Sequence, residues 1–223
     1  MIDVTIPVGP SAANRRWLKD ALDSVRAQTM RAAHIILIDD SEGTGAEGIT
    51  EVEYGSDVRI YANPWRSGVA HSFNYGVALA PSECVLMMGS DDLLEPTCLE
   101  ACWSTYNEHD KAAAYYWLDV HYMNRDVDQS IACNAAMTTK KLWKMTGGIP
   151  IEAACGAGDA ALLSIMMVNM PERMIRVKTD KPLYLYRDHP ETDTVRRSRW
   201  HQIIIDVRGL VTDEWTKNFN IHI

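Results

Sequence analysis

A short apolar run that stops at two acids constrains this chain most. Cys84-Val85-Leu86-Met87-Met88 is continuous in hydrophobicity and ends abruptly in Gly89, Ser90, Asp91 and Asp92. A run this short, without alternation, suits a strand buried on both faces of a parallel sheet. Glu95 and Pro96 behind it read as the opening of a helix, with proline near the first turn. Open α/β sheets bind ligands at the carboxyl ends of their strands. Two adjacent carboxylates there suit a hard divalent cation, with phosphates and water in its other positions. The same two acids also suit a plain turn that caps the next helix.

The same grammar recurs upstream. Residues 3–8 form a first strand-like run, closed by Gly9-Pro10. Trp17, Leu18, Ala21, Leu22 and Val25 recur at helical spacing and predict an amphipathic helix over about residues 14–28. Residues 35–38 make a second buried strand that ends in Asp39 and Asp40, and residues 58–61 make a third. Residues 68–80 are helix-like, with Val69, Phe73, Val77 and Ala80 on one side. Alternation of strand and helix predicts an α/β fold: a mostly parallel, twisted, Rossmann-like sheet with helices on both faces. The second half is more mixed. It predicts helices over residues 97–108, 139–146, 160–168 and 200–215, and strands over residues 112–120, 131–137, 174–177 and 182–186. Gly147-Gly148 closes the second of these helices and Asp159 precedes the third.

Composition narrows the class. A chain of 223 residues defaults to one domain with a sizeable core. Its net charge of −8 argues against a large electrostatic grip on nucleic acid. The five cysteines have no paired CxxC spacing and no nearby histidine to complete a zinc set, so they read as reduced thiols. No basic stretch leads into an apolar one and no run of about 18 apolar residues occurs, so neither a signal peptide nor a membrane span is expected. The expected location is cytoplasmic.

Taken in order, several pieces resemble the GT-A glycosyltransferases, in particular the family-2-like group that uses nucleotide-diphosphate sugars. They are Val4-Thr5-Ile6-Pro7-Val8, then Leu22 to Gln28, then Ile36-Leu37-Ile38-Asp39-Asp40-Ser41, then Asn63, Gly68, Asn74 and Gly76, then Ser90-Asp91-Asp92. Order and spacing hold over about residues 3–100; beyond, the match thins to Gly147-Gly148, Gly158-Asp159 and Tyr186-Arg187-Asp188-His189.

The resemblance implies roles. The backbone near Pro7 and the carboxylate of Asp40 would hold the base and ribose edge, with Asp39 supporting that loop. Asp91-Asp92 matches the family's DxD-type position: Asp92 would hold Mn2+ or Mg2+, and Asp91 would reach the ribose or sugar. His189 would stand near the metal or diphosphate. Arg187 and Arg197, with Arg196 and Arg199, would form a cationic flap over the diphosphate. Asp159 would be the general base. Residues 1–92 would then form the nucleotide-sugar half of one domain, and residues 93–223 the acceptor half with its terminal helix. The expected partner is a nucleotide-diphosphate sugar, most simply a UDP-sugar, and the acceptor a glycan, protein, lipid carrier or modified base.

Plainer readings stand beside these. Asp159 suits an N-cap of the helix behind it, Asp39 and Asp40 suit a turn, His189 suits a structural role, and the arginines suit a solvated basic loop. Trp117 is a candidate for stacking on a sugar ring or simply for the core. Phe73 replaces the arginine that many relatives carry before Asn74, which leaves His71, Arg66 or the late arginines to meet the diphosphate. Two other functions remain open: a nucleotidyltransferase of related fold, and a non-catalytic sugar-nucleotide or partner-binding protein. A nucleotidyltransferase usually opens with a glycine-rich phosphate loop, and Gly9 to Arg16 is a poor version of one.

Overall fold

The computed structural model describes residues 1–45, 47–129, 135–149, 162, 166, 167, 169–187 and 189. The first half runs β1 (Ile2–Val8), α1 (Ala12–Arg16), α2 (Leu18–Arg26), β2 (Ile35–Asp39), α3 (Glu51–Tyr54), β3 (Val58–Ala62), α4 (Gly68–Leu79) and β4 (Cys84–Met87). There follow β5 (Leu93–Leu94), α5 (Cys98–Glu108), β6 (Tyr115–Trp117), β7 (Val120–Tyr122), β8 (Val127–Gln129), β9 (Ala136–Thr139), α6 (Lys140–Thr146), β10 (Met174–Arg176) and β11 (Tyr184–Tyr186).

Seven strands form one sheet in the order β10-β6-β9-β4-β1-β2-β3. Only β9 runs against its neighbours β4 and β6, so the sheet is mostly parallel as the alternation predicts. Both faces are covered, which is why its strands read as unbroken apolar runs. Val4, Ile6, Val8 and Leu37 face a cluster with Leu18 and Leu22 of α2 and Leu99 of α5. Ile36, Ile38, Val85 and Met87 face a second cluster with Phe73 and Val77 of α4 and Leu142 of α6. Gly76 lets α4 lie directly on β1, because a Cβ there would meet the Thr5 hydroxyl at 1.9 Å.

A second, four-stranded sheet, β5-β11-β7-β8, was not foreseen as a unit. Its two- and three-residue strands are too short to leave a period in the sequence. The single strand expected over residues 112–120 is instead two, β6 in the large sheet and β7 in the small one. The helix expected over residues 14–28 breaks at Trp17, and Val69, expected on a buried face, is 42% exposed while Ala70 is buried. Trp117 is core: it is 5% exposed, with the Arg176 guanidinium over its ring.

Asn74 ties α4 to the turn after α6: its amide donates to the Ile149 carbonyl and accepts from the Ile149 N–H, both at 2.8 Å. Gly148 must lack a side chain there, since a Cβ would sit 2.4 Å from the Asn74 oxygen. Cys84, Cys98 and Cys102 are buried free thiols. Among the described residues no helix is long and apolar enough to cross a membrane. The helix expected over residues 200–215, most of that over residues 160–168, and Cys133 and Cys155 lie outside the described residues.

Candidate active site

The chain builds outward from β1 to β2 and β3, then returns to the other side of β1 to lay down β4. Strand order therefore reverses at β1, and the crevice at such a switch point is where α/β sheets take ligands. Asp91 and Asp92 emerge just beyond β4, on the rim of that crevice. Pro7 lies buried in β1 opposite Ile38. The Val8 carbonyl accepts from Asp40 N–H on the β2 side, and the Thr5 carbonyl accepts from Met88 N–H on the β4 side. Pro7 shares the phase of Thr5, so its carbonyl faces the β4 side, past the last β1–β4 pair at Thr5–Met87. A proline is tolerated there because no ladder partner needs its missing N–H.

The two acids that end β2 are committed to the fold. Asp39 accepts from the N–H groups of Ser41 at 3.1 Å and Ile49 at 2.9 Å, and so shapes the loop after β2. Asp40 differs from expectation. One of its oxygens accepts from the Asn63 amide and the Ser67 N–H, both at 2.7 Å, and the other from the Gly68 N–H at 2.9 Å. Its carboxylate is 5% exposed and anchors the start of α4 rather than facing a base. Asp40→Ala should therefore cost about 2–4 kcal/mol of stability, read by urea denaturation, because it strands buried donors. A variant of unchanged stability that has lost nucleotide affinity would return Asp40 to the ligand.

Asp91 and Asp92 differ in burial and partners. Asp92 is 1% exposed, and each of its oxygens is taken: Oδ2 accepts from the Tyr184 hydroxyl at 2.6 Å, and Oδ1 from the Arg187 N–H at 2.9 Å. The Tyr184 hydroxyl also accepts from the Gly89 N–H at 2.9 Å. Gly89 has no room for a side chain, since a Cβ would meet the Asp92 oxygen at 2.5 Å. Burial, and then the charge of Asp91, push Asp92 well above the ordinary carboxylate range. Tyr184 is pushed up by burial first and by the Asp92 charge next. The more open partner is Asp91, whose side chain is 18% exposed, with Oδ2 3.0 Å from His189 Nε2.

The approach of residues 187 and 189 is set by the small sheet. β5 follows the acid pair immediately and binds β11 antiparallel, Tyr184 opposite Leu94, so the residues leaving β11 fall back over the turn. Arg187 donates from Nε to the Asp91 carbonyl at 2.9 Å. α2 braces the base of the turn: Ser24 Oγ accepts from Leu94 N–H at 3.2 Å, and the Gln28 amide bonds both the Glu95 carbonyl and the Leu99 N–H.

The structure thus brings together Asp91, Asp92, Arg187 and His189 at the switch point, with Pro7 on its wall and Asp39 and Asp40 at the neighbouring strand end. Asp159 and Arg197 lie outside the described residues. The sequence reading missed Tyr184, which reads as an ordinary strand aromatic, and Arg15. The Arg15 guanidinium lies 3.9 Å from Asp39, with its Nε and one terminal nitrogen buried and without a hydrogen-bond partner. A cation shortly after the first strand-like run was the signal available for it.

Comparison with known proteins agrees with this geometry. The family model described as Glycosyl transferase family 2 matches residues 10–158. Glycosyltransferase GlyG of Streptococcus pneumoniae serotype 4 is 24% identical over 112 residues, 49% of this chain and 36% of that protein. An uncharacterized glycosyltransferase of Nostoc is 29% identical over 121 residues, 52% of this chain and 37% of that protein. The chain therefore spans little more than a third of the length of these relatives. Among solved structures, Staphylococcus aureus TarS 1–349 in complex with UDP-GlcNAc aligns at a TM-score of 0.70 and 15% identity, covering 92% of this chain and 64% of that one. The mannosyltransferase PcManGT of Pyrobaculum calidifontis, in complex with GDP-Man and Mn2+, aligns at 0.61 and 15% identity, covering 100% of this chain and 65% of that one. At such identities the likeness shows the fold, which is the GT-A arrangement.

Proposed function

The chain belongs to glycosyl transferase family 2, and on that premise we propose that it is a metal-dependent, inverting glycosyltransferase that moves a sugar from a nucleotide-diphosphate donor, a UDP-sugar first, to an acceptor hydroxyl. One observation carries this: Asp91, Asp92, Arg187 and His189 converge at the sheet's switch point although 95 or more positions separate the two pairs. The solved complexes of TarS with UDP-GlcNAc and of PcManGT with GDP-Man and Mn2+ support a nucleotide-sugar donor.

The covering of Asp92 by Tyr184 and Arg187 supports exchanging the roles expected of the two acids. Asp91 and His189 are the better cation ligands, and Asp92 is the brace that holds Tyr184 and Arg187 behind them. An imidazole beside a carboxylate is a donor set that Mn2+ accepts. Among the described residues no group of three or more His, Cys, Asp or Glu side chains is arranged to hold a metal ion by itself, so the other positions would fall to the diphosphate and water. When bound, the cation supplies positive charge against the departing diphosphate, as Lewis acids do for phosphoryl oxygens. Arg187 adds fixed charge over the same oxygens. Arg15, with its unpaired buried donors, takes an oxygen of the base or ribose beside Asp39. Asp159 accepts the proton of the acceptor hydroxyl as that oxygen attacks C1, and a single displacement inverts the anomeric centre. Residues up to Asp92 hold most of the donor, and the later chain shapes the acceptor pocket.

Calorimetric titration with UDP, with and without Mn2+, tests the reading. Binding that strengthens with Mn2+, joined by Mn2+-dependent hydrolysis of one sugar in a mass-spectrometric screen of UDP-, GDP- and TDP-sugars, is expected. UDP binding that ignores the metal would favour a non-catalytic nucleotide-binding protein, and release of pyrophosphate would favour a nucleotidyltransferase.

A further inference from the structure

Trp17 interrupts a helix that its sequence neighbours would continue. It ends α1 and precedes α2 with φ −110° and ψ 2°, although no glycine or proline stands between Ala12 and Arg26. A break without such a residue calls for a tertiary cause. Core packing is not that cause: Leu18 and Leu22 join the first hydrophobic cluster, but Trp17 belongs to neither cluster and is partly exposed.

The indole instead gathers the residues that reach the acid turn. The Arg187 guanidinium stands over it, 4.9 Å from the ring centroid. The His189 ring lies 4.6 Å away, tilted by 48°. The Arg16 guanidinium is 5.0 Å from the same centroid. Asp20, one turn into α2, lies 3.9 Å from the other end of Arg187. Arg187 and His189 come after the last residue of β11, so no strand pairing fixes them laterally. Trp17 and Asp20 are their lateral support from the opposite side of the crevice.

We propose that Trp17 is a positioning residue for the cation and diphosphate site. Its indole holds Arg187 and His189 down on the Asp91-Asp92 turn, so that the Asp91 carboxylate and the His189 imidazole meet before any ligand arrives. This rests on the reading of Asp91 and His189 as the cation's ligands. A guanidinium on an aromatic face is a directional attraction that outlasts exposure to water. Residues that orient metal ligands from behind typically alter metal affinity by 10- to 100-fold when removed. The helix break is what turns the indole out of the core stripe and toward the late segment.

The test uses the full chain with Trp17→Ala, Trp17→Leu and Trp17→Phe. UDP is titrated calorimetrically with and without Mn2+, and stability is read by urea denaturation. Trp17→Ala should weaken UDP binding in Mn2+ roughly tenfold and weaken metal-free binding, which loses only the placement of Arg187, by much less. Trp17→Leu keeps bulk without an aromatic face and should show the same loss, so the answer survives if the alanine variant does not fold. Trp17→Phe should recover most of the affinity. Paramagnetic Mn2+ added with UDP should quench part of the wild-type tryptophan emission, and Trp17→Phe should lose that part. If the leucine variant binds UDP in Mn2+ as tightly as wild type, or loses metal-free binding equally, the inference is overturned while the cation reading stands. Wild-type binding that ignores Mn2+ overturns both.

Discussion

Replacing Asp91 with asparagine is expected to abolish the Mn2+ dependence of UDP binding and to lower sugar transfer roughly 100- to 1,000-fold. The amide keeps the size of the side chain and its contact with the turn, but it loses the negative charge that would hold a divalent ion. Asp92→Asn is the informative contrast. Its side-chain oxygen can still accept from Arg187 N–H, and its amide can donate to the second lone pair of the Tyr184 oxygen, at the cost of the acceptor for the Tyr184 proton. The buried triad survives in a rearranged form, so metal dependence should persist, with affinity lowered by no more than about tenfold. Asp92→Ala is a poorer probe, because it leaves Tyr184 and Arg187 with unpaired buried groups at a cost of about 1–3 kcal/mol each. Calorimetry on the two asparagine variants decides between the acids. Loss of metal dependence in Asp92→Asn with Asp91→Asn intact would restore the order that the family resemblance implies.

Partners are what favour exchanging the two acids. Asp39, Asp40, Asp91 and Asp92 look alike along the chain: each is an acid at the end of an apolar run. Their differences come from what meets them, and those partners are far away. Asn63 reaches Asp40, and Tyr184 and Arg187 reach Asp92. No local pattern carries such information. The strand ends themselves were legible, because burial on both faces and an abrupt polar stop leave a strong local signature. β5 leaves none, and β11, expected as a strand over residues 182–186, carries no local sign of its pairing with β5; together they decide which acid is covered. The break at Trp17 was hidden for the same reason. Trp17 fits the helical stripe with Leu18, Ala21, Leu22 and Val25, and only contacts with residues 187 and 189 pull it out.

The covering of Asp92 also bears on the division of the chain into a donor half and an acceptor half. Two of the four residues at the acid turn come from the later half, delivered by β11. On the proposed reading, the donor site would not be complete at Asp92. A chain cut after Asp92 would keep the turn but lose Tyr184, Arg187 and His189. The resemblance is densest over the first hundred residues because strand ends and glycine contacts are local there.

Asp159→Asn is expected to leave UDP affinity near normal and to lower the rate of transfer by about 100- to 10,000-fold, the range that a positioned general base contributes. The acceptor hydroxyl must lose its proton as its oxygen attacks C1, and an amide cannot take that proton. Donor binding does not involve this proton, so the loss should fall on kcat and not on the affinity for UDP. Asparagine is the right replacement because it also separates the two readings of the position. Asp159 precedes an apolar run and suits the N-cap of a helix, a role in which asparagine serves as well as aspartate. If Asp159 only caps, Asp159→Asn should keep both stability and full activity. If it is the base, stability should hold and activity should collapse, with Asp159→Ser giving the same result because serine too caps but is a poor base at neutral pH. Full transfer by both capping variants would take Asp159 out of the chemistry, and the proton acceptor would then have to be sought elsewhere in the later half of the chain.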